Sequence, residues 1–150
     1  MIYLAADHRG FQLKEELKIF LKEQGYETED VGAFAYDKDD DYVDFARTAS
    51  EKIAQNPSGY KGILICGSGT GMDVAANKYR GLHAAWCMSE EAAKQSREHG
   101  NTNVLVLGAD WLNIEKAKSV VLVWLKTPFS GEERHVRRLR PDTILTFEPR

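Results

Sequence analysis

The chain has 150 residues, one domain's worth, and a domain of that size removes roughly 70% of its unfolded surface from water. With 43% hydrophobic residues, 29% charged residues and a net charge of −3, nothing in the bulk composition pulls it toward nucleic acid or an anionic membrane. No apolar run approaches the ~20 residues of a membrane span. The opening MIYLAADHRG lacks a signal-type core, and Cys66 and Cys87 form no metal pattern, so a reduced, cytoplasmic protein is the expectation.

Ile2–Ala6 is a short apolar run that reads as a buried strand. Phe11, Leu13, Leu17, Phe20 and Leu21 then recur at helical spacing, with Gly25 as a stop. Tyr26–Gly32 is a weak second strand and YDKDDDY an acidic loop; a second helix runs from Asp44 to Asn56 and ends near Pro57. Gly62–Cys66, Leu82–Cys87 and Asn103–Gly108 are the third, fourth and fifth strands. Helices are expected over Met72–Lys78, Glu90–Glu98 and Ile114–Lys126. Ser130-Gly-Glu-Glu133 has the pattern of a capping box opening one more helix, on which Arg134 and Arg138 share a face, a pairing suited to phosphate or carboxylate. There is no repeat or linker, so residues 1–150 read as one domain with an unassigned tail from about residue 141.

Unbroken apolar strands alternating with helices imply a three-layer α/β/α sandwich around a parallel sheet. Ligands of such sheets lie beyond the carboxyl ends of the strands. Those ends carry Asp7-His8, Cys66-Gly67-Ser68-Gly69-Thr70-Gly71, Cys87-Met88-Ser89 and Gly108-Ala109-Asp110. The glycine loop offers backbone amides for an anion, and its plain alternative is a tight strand-to-helix turn. A dinucleotide site wants its glycines after the first strand, and the GxGxxG pattern fails at Met72. A cysteine phosphatase wants an arginine six residues after its cysteine, where Met72 again stands. Proton transfer is the third reading: thiols at helix N-termini form thiolates more readily, and an adjacent oxyanion cradle is what abstraction of a proton beside a carbonyl needs.

The stretches AADHRGFQLKE, YDKDDDY, ILICGSGTGMDVAANKYRG, SREHGNTNVLVLG and TPFSGEERHVRRL resemble the type B ribose-5-phosphate isomerases and the related galactose-6-phosphate isomerase subunits, from Ile2 to about Leu139. The resemblance implies a five-stranded parallel, Rossmann-like sheet in the order 2-1-3-4-5. It also implies interconversion of an aldose phosphate and a ketose phosphate without metal or organic cofactor, and a dimer or tetramer whose sites are shared between subunits. By the same resemblance Cys66 is the base that moves a proton between C1 and C2 through an enediolate. Part of the family uses a glutamate in the loop region instead, and the matching position here is Met72. Ser68 and the loop of Gly67, Gly69, Thr70 and Gly71 would hold the oxyanion, and His99 would open the sugar ring. Asp7 would sit on sugar hydroxyls, His8 near phosphate and Tyr42 along the sugar, with Asn77 in the family's AANK motif and Arg134 and Arg138 as the phosphate clamp.

Asp73, at a helix start, reads as an acid complementing the dipole, Asn103 as a turn residue, and His83 as a satisfied core or edge histidine. Two positions depart from the family pattern. Gly100 stands where an asparagine is usual. Asp110 stands where an arginine usually helps hold phosphate, and it is expected to neutralise Arg134 or Arg138 or to turn toward solvent. Three alternatives stay open: an isomerase of another aldose phosphate or of a free sugar, a non-catalytic sugar-phosphate binder, and a reductase using the loop for a dinucleotide.

Overall fold

The computed structural model describes residues 1–141; the tail read as unassigned lies almost wholly outside them. In chain order the elements are β1 (Ile2–Ala6), α1 (Phe11–Glu23), β2 (Thr28–Asp30), α2 (Tyr42–Ile53), β3 (Lys61–Cys66), α3 (Thr70–Ala76), β4 (Ala84–Trp86), α4 (Glu90–Gly100), β5 (Val104–Gly108), α5 (Ile114–Lys126) and α6 (Glu133–Arg138). All five strands run parallel.

Side-chain alternation along each strand splits the core into two layers. Ile2, Leu4, Ile63, Ile65, Leu105 and Leu107 meet Leu13, Leu17 and Leu21 of α1 and Val120, Val121 and Trp124 of α5. Tyr3, Ala5, Leu64, Cys66, Val104 and Val106 meet Ala46, Ala49 and Ile53 of α2 and Met72 and Ala76 of α3. Each fully buried Leu or Ile contributes roughly 1.5–3 kcal/mol of transfer free energy.

The strand order is β2-β1-β3-β5-β4, which corrects the expected exchange at one edge. The reason is apolar content. An interior strand must supply buried side chains to both faces, and all five residues of β5 are buried. β4 has three residues, none of them buried, and its Trp86 is 42% exposed. The better hydrophobe takes the inner place beside β3.

Several helix ends also move. α2 begins at Tyr42 because the Asp41 carboxylate caps it, accepting from the Val43 N–H at 3.1 Å. α3 begins at Thr70, so Gly71 lies inside its first turn. The expected capping box at α6 is not formed. Gly131, with φ of 67°, turns the chain so that Ser130 falls two residues before the N-cap, Glu132. Its hydroxyl accepts from the Glu132 N–H and bonds to His135 Nδ1 at 2.7 Å instead.

One buried ion pair ties α1 to β2. The Lys14 ammonium, 0% exposed, donates to both carboxylate oxygens of Asp30 and to the Ala33 carbonyl. The Gly32–Ala33 backbone exchanges hydrogen bonds with Ala6, so this pair underlies the end of β1, where Asp7 begins.

Candidate active site

Cys66 ends β3 with 4% exposure, and the Gly69 N–H donates to its Sγ at 3.3 Å. Gly69 has φ of 90°, a left-handed conformation that glycine adopts without the Cβ penalty. That reversal folds the amide back toward the sulfur. The loop is walled by three large side chains, each lying against one glycine. A Cβ on Gly67 would overlap the Arg9 guanidinium, one on Gly69 would come 2.5 Å from Trp86 Nε1, and one on Gly71 would come 2.5 Å from Tyr42 Cζ. The absent side chains are what let Arg9, Trp86 and Tyr42 close around Cys66.

Two amides of the expected oxyanion loop already have partners. The Gly69 N–H serves the sulfur, and the Thr70 N–H donates to Ser68 Oγ at 3.3 Å. Because Ser68 accepts there, its own hydroxyl proton is free to point into the cleft. The Gly71 N–H stands in the first turn of α3, where a helix leaves donors without intrahelical partners.

Beside the loop, Asp7 is 5% exposed and its Oδ1 accepts from the Arg9 and Gly10 N–H groups, each at 3.0 Å. Burial pushes its carboxyl above the usual range despite those hydrogen bonds. His8 is gripped by Asp40, whose Oδ1 accepts from the His8 backbone N–H at 2.9 Å and pairs with Nδ1 at 2.7 Å. That hydrogen bond raises the imidazole above its ordinary value, against the opposing effect of its partial burial. Asp40 Oδ2 is buried and has no hydrogen-bond partner among the described residues. The sequence shows Asp40 only as part of the acidic loop and assigns it no role. The only available signal was its place in an acidic run, which does not say which of four aspartates folds inward.

Asn77 braces the edge strand: its amide donates to the Ala84 carbonyl and accepts from the Ala84 N–H, both at 3.0 Å. His83 is satisfied, with Nδ1 3.1 Å from the Gly100 carbonyl oxygen. Asn103 is the bracing turn residue expected, donating to the carbonyls of Pro57 and Gly81. Asp110 is paired with Arg9, which corrects the expected partners Arg134 and Arg138. Topology is the reason. Asp110 follows the carboxyl end of β5, whereas those arginines lie on α6, which packs at the other end of the sheet.

The same topology divides the remaining candidates. α4 runs back to the amino-terminal edge, where the Gly100 carbonyl meets His83 just before β4. His99 therefore sits about a strand length from its own Cys66, roughly 13 Å at 3.3 Å per residue. Its ring stacks on His135 at 4.4 Å between centroids. His135 is buried, which lowers its pKa, and the neighbouring His99 adds to that. Arg134 and Arg138 are exposed on the same short helix, Arg134 3.0 Å from Glu132. One chain thus carries its candidate residues in two groups at opposite ends: Cys66, Ser68, Asp7, His8 and Tyr42 at one, His99, Arg134 and Arg138 at the other.

Comparison with known proteins gives the family of the chain. The Ribose/Galactose Isomerase family profile matches residues 2–141. The chain belongs to that family. It is 39% identical over 147 residues to ribose-5-phosphate isomerase B of Mycobacterium leprae, covering 98% of this chain and 89% of the relative. The isomerase-family fold is shared with the ribose-5-phosphate isomerase B of Mycoplasma genitalium, solved with bound ribulose-5-phosphate (TM-score 0.91, 38% identity, 95% of this chain and 93% of that one). The Thermotoga maritima ribose 5-phosphate isomerase gives a TM-score of 0.87 at 42% identity, over 93% of this chain and 94% of that one. No helix among the described residues is long and apolar enough to cross a membrane.

Proposed function

We propose that this chain is an aldose–ketose isomerase that interconverts ribose 5-phosphate and ribulose 5-phosphate through an enediolate. The observation that carries the reading is Cys66, enclosed at the end of β3 with a backbone N–H on its sulfur, in a chain of this family. In the aldose-to-ketose direction the Cys66 thiolate takes the proton from C2 and returns it to C1, while a proton moves from O2 to O1. The Ser68 hydroxyl and the Gly71 N–H stabilise the charge on the enediolate oxygen, a contribution of about a hundredfold or more per donor. The step has no net redox change beyond the substrate itself, so it requires no organic cofactor. A free thiol suits a reducing cytoplasm. The whole chain acts as one isomerase domain.

The split site is completed by a second copy, whose His99 opens the sugar ring and whose Arg134 and Arg138 clamp the phosphate. Support comes from the carboxyl-terminal edge of the sheet. Phe34, Tyr36, Met88 and Trp111, which follow β2, β4 and β5, and Trp86, which ends β4, are all exposed there. Apolar clusters of this kind mark interaction surfaces.

The test is coupled-assay turnover of ribose 5-phosphate by Cys66→Ala and His99→Asn, alone and mixed under conditions of subunit exchange. Each variant alone loses at least 10²–10⁴-fold in rate, the usual contribution of a positioned acid or base. Mixing restores up to about a quarter of the wild-type rate, since half of randomly paired dimers are mixed and each has one intact site. Near-wild-type turnover by Cys66→Ala sinks the base assignment, and mixing without recovery sinks the shared site.

A further inference from the structure

Arg9 lies in the AADHRGFQLKE stretch, and none of the roles above uses it. It lies three residues past the end of β1, and its guanidinium lies against Gly67, the first glycine of the loop. Its backbone N–H is pinned by Asp7, and its Nη2 donates to Asp110 Oδ2. Arg9, Gly67 and Asp110 follow the carboxyl ends of β1, β3 and β5, three adjacent strands of the sheet. The Asp110 end is fixed as well: its backbone N–H donates to the Gly67 carbonyl at 2.9 Å. The pair therefore forms a bridge across the floor of the cleft, with both ends anchored to the same loop.

A guanidinium has five N–H donors in a rigid plane. Asp110 takes one at Nη2, and among the described residues the Arg9 side chain has no other hydrogen-bond partner. Arg9 is 53% exposed, so its remaining edge is open to a ligand. A surface ion pair contributes little to stability, about 0–1 kcal/mol, so folding alone gives little reason for this one. Fixing an arginine's plane, by contrast, lowers the side-chain entropy lost when a phosphate binds it. His8, raised toward its charged form, is the neighbouring residue.

Resting on the isomerase reading above, we propose that Arg9 binds the substrate's phosphate and that Asp110 is its positioning residue. The carboxylate at 110 then orients the cation of the site instead of repelling the phosphate. The phosphate is held from both sides, by Arg9 and His8 of one chain and the α6 arginines of a second copy.

The test measures binding without turnover. Ribitol 5-phosphate cannot isomerise, and ribitol is the same polyol without the phosphate. Calorimetry with both ligands is run on wild type, Arg9→Ala, Arg9→Lys, Asp110→Asn and the double variant Arg9→Ala/Asp110→Asn, with folding checked by circular dichroism. Arg9→Ala weakens ribitol 5-phosphate at least tenfold and ribitol less than twofold. Arg9→Lys keeps the charge but loses the fork and falls between. Asp110→Asn weakens ribitol 5-phosphate about threefold to fivefold in the wild-type background and not at all when Arg9 is already alanine. In steady state it raises the KM for ribose 5-phosphate by the same factor with kcat within twofold. If Arg9→Ala does not fold, Arg9→Lys and Arg9→Gln carry the comparison. Affinity for ribitol 5-phosphate within twofold of wild type in the arginine variants overturns the proposal. So does equal weakening of both ligands, which makes Arg9 a hydroxyl-binding or structural residue. Wild type that neither isomerises ribose 5-phosphate nor binds ribitol 5-phosphate overturns the isomerase reading itself, and this proposal with it.

Discussion

Replacing Asp30 with asparagine isolates one charge inside the protein. Lys14 is 0% exposed, and its ammonium donates to Asp30 Oδ1 and Oδ2 at 2.7 and 2.8 Å and to the Ala33 carbonyl at 2.6 Å. Removing one partner of a buried pair costs about 3–5 kcal/mol, because the other charge stays behind without compensation. Asparagine keeps the shape and one acceptor oxygen, and the Ala33 carbonyl and Glu15 at 3.4 Å remain on the ammonium. The expected loss is therefore at the lower end, about 3 kcal/mol at pH 7. For a chain of this length that is a fall in Tm of roughly 6–12 °C. The assay is urea unfolding, with the midpoint moving at constant m.

The pH dependence has a definite sign. Burial pushes the Asp30 carboxyl up, but hydrogen bonds from Lys14, Lys18 and the Gly32 N–H outweigh it and leave the folded value below 3.8. A carboxyl lowered on folding stabilises the protein above its unfolded pKa, and that stability is lost as pH falls through the folded value. The gap between wild type and Asp30→Asn is thus full at neutral pH and closes below about pH 4. A loss under about 1 kcal/mol at pH 7, or a gap still open in acid, refutes the reasoning.

Two further outcomes concern the cleft. Asp40→Asn returns the His8 ring toward its ordinary pKa, read by NMR titration of the imidazole carbons, because the Asp40 hydrogen bond is the main cause of its elevation. A histidine raised on folding stabilises at pH below its unfolded value and loses that contribution as pH rises through the folded one, so this part of the pH–stability profile vanishes in the variant; an unmoved His8 titration contradicts the assignment. Gly71→Ala puts a methyl 2.5 Å from Tyr42 Cζ and displaces the ring. Since misplacing a site residue by about 1 Å costs up to 10²-fold, kcat/KM for ribose 5-phosphate falls at least tenfold while Tm stays within a few degrees; unchanged kcat/KM removes Tyr42 from the sugar pocket.

Much of this protein was legible in the chain itself because the signals are local. Five apolar strands separated by amphipathic helices dictate a parallel sheet covered on both faces, and α5 falls where the periodicity put it, Ile114–Lys126. The glycine-spaced loop after Cys66 announced a tight turn with close neighbours, and the structure sets Arg9, Trp86 and Tyr42 against its glycines, leaving no room for side chains there. His83 and Asn103 behave as their surroundings suggested. The tertiary structure alone decided what depends on comparing distant segments. Strand order followed from the greater burial of β5 over β4, a competition no single window contains. The Arg9–Asp110 pair joins residues 101 apart, and Asp40 reaches His8 across 32. The separation of His99 from Cys66 comes from the direction in which α4 returns across the sheet. In each case partners were chosen by which residues the strands carry to the same edge, and that choice exists only once the sheet has closed.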